Sequence, residues 1–123
     1  MEFEEFEDLV LEALDGLPQE FLDHLENVEV IAKEWPSPTE LAEVGLSPSD
    51  RMNLLGLYHG VPKTRRGAFY MAMPDRISIY KGPIEAHVGS NPDSIKEQVR
   101  RTVIHEVAHY YGISDERLRE LGW

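Results

Sequence analysis

Apolar residues recur along this chain with two different periods, and the switch between them marks out the elements. From Glu2 to Asp15, residues Phe3, Phe6, Leu9, Val10, Ala13 and Leu14 fall three or four apart and form one stripe on a helix, which Gly16 stops. Pro18 then opens a short helical turn carrying Phe21, Leu22 and Leu25. Val28 to Lys33 is β-branched and alternating, so it predicts a strand, ended by Pro36 and Pro38. Residues 36–53 are broken by Pro and Ser, with a short helix around Glu40 to Val44. Leu54 to His59 predicts a second strand, closed by Gly60 and Pro62. Thr64 to Gly67 reads as a loop and Ala68 to Met73 as strand-like, with Pro74-Asp75 as a turn. Arg76 to Lys81 is the clearest strand, with Ile77 and Ile79 on one face and Ser78 and Tyr80 on the other, and Gly82-Pro83 breaks it.

The period returns to that of a helix from Asn91 to Tyr111. Asn91 is placed as N-cap, Pro92 at the first helical position and Asp93 in the first turn. Ile95, Val99, Val103, Val107 and Tyr110 make the expected core stripe, and Gly112 sits where a C′ residue belongs. Short connections between the later strands favour antiparallel pairing. The expected architecture is α+β: a small, mostly antiparallel sheet packed on a long helix, with an N-terminal amphipathic helix and a short C-terminal one.

With 123 residues, 41% of them hydrophobic and 28% charged, residues 1–123 are expected to form a single globular domain with one modest core. The absence of Cys excludes disulfides and thiolate metal clusters. No apolar run approaches a membrane span, and the acidic start is unlike a signal peptide, so the cytoplasm is the expected compartment. The net charge of −11 is lopsided: residues 1–32 hold eleven acids and no Lys or Arg, while twelve of each sign follow. Phosphate binding wants a basic field, which speaks against a nucleic-acid partner. Lys63, Arg65 and Arg66 are the one compact basic cluster and read as a solvated loop.

The chemistry sits on the long helix. His105-Glu106-Val107-Ala108-His109-Tyr110-Tyr111-Gly112-Ile113-Ser114-Asp115 spells H-E-x-x-H-x-x-G-x-x-D. Residues four apart share a helical face, so His105 and His109 can hold one metal ion between them, with Glu106 placed to take a proton from a water. A shuffled chain of this composition carries H-E-x-x-H about once in forty, which is weak, but the full pattern only about once in ten thousand. Two imidazoles and a carboxylate suit Zn²⁺. Asp115 has two readings: Gly112 can turn the chain so that it returns as an oxygen ligand, or it caps a terminal helix beginning at Ser114-Asp115. An oxyanion donor would come from Tyr110, Tyr111, His59, His87 or Tyr80.

The same segment resembles the zincin metallopeptidases, and its Gly and sixth-position ligand are like the metzincin branch. The chain is similar over most of its length to the minimal zincin-like metallopeptidases, short bacterial proteins once filed as a domain of unknown function. Leu54-Leu55-Gly56-Leu57-Tyr58-His59-Gly60-Val61-Pro62 and Pro74 to Glu85 share in that resemblance. It implies His105, His109 and Asp115 as metal ligands and Glu106 as general base. Full metzincins also carry a methionine turn after the third ligand, and here no Met follows Met73.

The reading that follows is a zinc metallopeptidase acting on a peptide or protein substrate, taken up as an added strand along the edge expected at Arg76–Lys81. Its substrate and oligomeric state are not legible. Two alternatives stand beside it. One is a metal-stabilised binding module whose zinc site is occupied by a partner or closed by a fourth ligand such as His59, His87 or Glu116. The other is a hydrolase of non-peptide amides or esters.

Overall fold

The computed structural model describes residues 1–60 and 74–123. Along the chain run α1 (Phe3–Asp15), α2 (Gln19–His24), β1 (Val28–Lys33), α3 (Pro38–Glu43), a 3₁₀ turn (Pro48–Asn53), β2 (Gly56–His59), β3 (Asp75–Tyr80), α4 (Lys81–Val88), α5 (Pro92–Tyr111) and α6 (Asp115–Glu120). The architecture is the expected α+β. The loop at Thr64–Gly67, the strand-like stretch Ala68–Met73 and the basic cluster Lys63, Arg65 and Arg66 lie outside the described residues.

The three strands are ordered β1-β3-β2. β2 runs antiparallel to β3, as expected, with Gly56 opposite Ile79 and His59 opposite Arg76. β1 joins the other side of β3 in parallel, Val28 opposite Asp75 through Lys33 opposite Tyr80, so the sheet is mixed. The connection from β1 passes through α3, the 3₁₀ turn and β2 before β3 enters, and a crossover of that length returns a strand in the same direction. β3 is therefore the centre of the sheet. The edge expected at Arg76–Lys81 is not an edge: among the described residues β1 and β2 are the outer strands.

Directly paired residues share a sheet face. One face carries Val30, Ala32, Ile77, Ile79 and Tyr58 and packs into the main core, which Phe6, Val10 and Ala13 of α1 and Ile95, Val99, Val103 and Val107 of α5 complete. The opposite face carries Lys33, Ser78, Tyr80, Leu57 and His59. It is covered as well, since Ser78 and Tyr80 are fully buried and Leu41 of α3 and Leu57 are buried too. Glu40, also buried, ties this face together: its carboxylate accepts from the Tyr80 hydroxyl at 2.6 Å, from Lys33 Nζ at 3.2 Å and from the Ser37 N–H at 2.9 Å. Those bonds hold the Glu40 carboxyl at a pKa of about 2, although burial alone would raise it.

Two elements depart from the sequence reading. Gly82-Pro83 does end the strand, but α4 begins at once. Pro83 lies in the first turn of that helix, where a missing N–H leaves no bond unmade, so a breaker of strands serves as an opener of helices. Tyr110, expected in the core stripe of α5, is 47% exposed. It lies at the end of α5 and stacks on Tyr58 of β2, centroids 4.0 Å apart and planes 16° apart.

Candidate metal centre

Helix α5 is specified at both ends by its own residues. The Asn91 side chain accepts from the N–H groups of Asp93 and Ser94, at 3.0 and 3.2 Å, and Pro92 occupies the first turn. Gly112 ends it in the left-handed conformation, φ 75° and ψ 23°, and the Ile113 N–H bonds back to Ala108 O at 2.8 Å. That reversal starts α6 beside the last turn of α5 instead of beyond it.

Consequently His105, His109 and Asp115 come together, one ligand atom from each lying within 4.8 Å of the others. His109 Nε2 is 3.7 Å from Asp115 Oδ1. The cap question has a structural answer: Ser114 Oγ accepts from the Arg117 N–H at 3.1 Å, so Ser114 caps α6 and the Asp115 carboxylate is left to face His109. Bonds of about 2.0–2.2 Å from a tetrahedral zinc put its ligands about 3.3 Å apart. His109 and Asp115 side chains are 62% and 72% exposed, so small rotations can close that gap without disturbing the core. In donor type and spacing, the cluster fits a metal ion.

Among the described residues no fourth His, Cys, Asp or Glu joins this cluster. Residues 61–73 contain none of these types, so no such ligand can come from there. His59 lies against Glu40 and Glu43, at 3.4 and 3.8 Å, and His87 against Met52 O, at 3.0 Å. Three protein ligands leave a tetrahedral metal one open position.

Glu106 lines the cleft beside the cluster and is partly buried. Burial pushes its carboxyl above the ordinary range, with the neighbouring His109 charge acting in the opposite sense. His105 makes a contact that sequence reasoning did not find: its Nε2 lies 3.2 Å from Trp123 O. A protonated Nε2 can donate that bond, whereas an Nε2 bound to metal has no proton to give. Metal on Nε2 would therefore break this bond, while metal on Nδ1 would leave it in place.

Beside the cluster opens a cleft of about 400 Å³ between the chain at Asn53–Gly56 and one face of α5 that carries Gln98, Arg101, Thr102, His105, Glu106 and His109. Gly56 permits the close approach, because a Cβ there would come within 2.6 Å of Thr102 Cγ2. Leu54 and Leu55, expected within a strand, precede β2 and line this cleft instead. Gln98, Arg101 and Thr102 were also missed as site residues, although their spacing of seven, four and three before His105 carried the signal. Of the expected oxyanion donors, Tyr80 is buried against Glu40 and Tyr111 packs on His24, centroids 4.4 Å apart, so neither lines the cleft.

The model of the family described as zincin-like metallopeptidase matches residues 25–123. The chain belongs to that family. A solved structure, a conserved hypothetical protein from Thermo thermophilus, is similar to it with a TM-score of 0.58 and 24% sequence identity, over 90% of this chain and 94% of the other. At that identity the likeness shows a shared fold. No curated protein matches the chain. For this zincin-like chain, no helix among the described residues is long and apolar enough to cross a membrane.

Proposed function

We propose that this zincin-like protein is a zinc-dependent hydrolase of peptide bonds, with His105, His109 and Asp115 as metal ligands and Glu106 as general base. The observation that carries the reading is the gathering of two imidazoles and a carboxylate around an exposed point, with a partly buried glutamate and an open cleft beside them. Zinc held there would supply Lewis acidity, lowering the pKa of a coordinated water towards about 7 and polarising a carbonyl. Glu106 would accept the water's proton, its carboxylate lining the cleft directly beside the two histidines. It then returns the proton to the departing amine. An extended peptide laid along the cleft would run between the Leu54–Gly56 segment and α5, which brings its backbone past Glu106.

The lack of a fourth described protein ligand favours this reading over a closed, structural zinc site. Glu106→Gln tests it. The variant should bind zinc as the parent does and lose hydrolysis of a peptide mixture by about a hundredfold or more, since a positioned general base contributes on that scale. Equal turnover by parent and variant would end the mechanism.

A further inference from the structure

Resting on the reading of this cleft as a peptide site, the geometry points to Arg101 as the residue that selects its substrate, by receiving a carboxylate of the bound chain. Arg101 lies one helical turn before His105, on the face of α5 that lines the cleft. Among the described lining residues it is the one group with a permanent positive charge, set against the apolar Leu54 and Leu55. A guanidinium matches a carboxylate with two parallel N–H donors, so a cleft of this composition discriminates by charge at a single point.

What holds Arg101 now is weak and directional. Its Nε donates to Glu97 Oε1 at 3.1 Å in an i,i+4 pair whose two side chains are 44% and 46% exposed. A pair so open to water contributes little, so a substrate carboxylate that makes both parallel N–H bonds to the guanidinium can displace it. Its other tie, Nη1 to Trp123 O at 3.3 Å with the guanidinium carbon 5.7 Å from the Trp123 ring centroid, keeps the head of the side chain at the rim beside His105. The residue is therefore oriented before substrate arrives, with its primary partner exchangeable. The carboxylate can be an Asp or Glu side chain close to the scissile bond or the free end of the peptide.

The test uses zinc-loaded protein and matched peptides that differ only by Glu against Gln at one position at a time, or by a free acid against an amide at the C-terminus. Parent protein should favour the acid member of at least one pair by about tenfold or more in kcat/KM, the scale of a hydrogen bond to a charged group. Arg101→Ala should remove that preference, lowering kcat/KM of the acid peptide by about tenfold more than that of its Gln or amide partner, and Arg101→Glu should turn it towards Lys at the same position. Which pair responds tells side chain from chain end. A residue that merely braced Trp123 would lower turnover of all the peptides alike. That outcome, or an acid preference kept in Arg101→Glu, overturns the assignment, as does a parent protein that treats acid and amide equally. Fluorescence anisotropy of labelled peptides on zinc-loaded Glu106→Gln separates this from the hydrolase reading. If Arg101-dependent binding of the acid peptides persists where the parent cleaves none of them, the hydrolase reading fails and the carboxylate site stands.

Discussion

Glu40→Gln offers a prediction whose size follows from the structure. In the native protein the Glu40 carboxylate sits almost out of water, its side chain 10% exposed, and gathers hydrogen bonds from Tyr80, the Ser37 N–H and Lys33. Its pKa falls from 4.5 to about 2. A carboxyl with a depressed folded pKa stabilises the fold above its unfolded pKa, and the contribution fades as pH drops from about 4.5 through about 2. A fall of that size corresponds to about 3 kcal/mol at neutral pH, and somewhat under half of that is left at about pH 3. Gln keeps the shape and an oxygen for Tyr80 but carries no titrating charge. In urea unfolding followed by circular dichroism, the stability gap between parent and Glu40→Gln should therefore narrow by about 2 kcal/mol between pH 7 and pH 3. Parallel stability curves across that range would refute the idea that this face of the sheet holds a charged carboxylate. Zinc affinity should be the same in both proteins, because Glu40 lies outside the candidate metal cluster.

Zinc on His105 Nε2 should release Trp123 and zinc on Nδ1 should keep it, so in a Trp35→Phe background a Trp123 emission that changes in step with a one-to-one zinc titration marks Nε2 as the ligand, and an unaltered spectrum at full loading marks Nδ1. Asp115→Ala should weaken zinc binding measured by competition with a chelating dye, whereas Ser114→Ala should leave the ligands in place and cost about 1 kcal/mol of stability through the lost cap. Gly112→Ala forces a side chain into φ 75°, which costs about 1–2 kcal/mol and disturbs the turn that brings Asp115 back to His109. Thermal unfolding should register the cost, and zinc titration a weaker site.

The features legible in the sequence are those written in neighbouring residues. The ends of α5 come from Asn91, Pro92 and Gly112, and the shared face of His105 and His109 from a spacing of four. Asp115 lay at the limit of that reading. Its distance along the chain allowed either a ligand or a cap, and in the structure the Ser114 hydroxyl takes the cap while the Asp115 carboxylate faces His109.

The sequence by itself determined an α+β chain with a histidine pair on one face of a long helix and a carboxylate within reach just beyond its end, because helical periodicity, capping and turn preferences act over a few residues. Only the tertiary structure decided what those residues face. The parallel entry of β1, the central place of β3, the exposure of Tyr110 and the meeting of Glu40 with Tyr80 each depend on pairing between distant segments. So does the cleft, which exists because Gly56 lets the approach to β2 come close to Thr102, leaving Arg101 at its rim and Trp123 against His105. Contacts of that range are fixed by how the apolar faces pack, and one-dimensional patterning records which face is apolar but not which partner covers it.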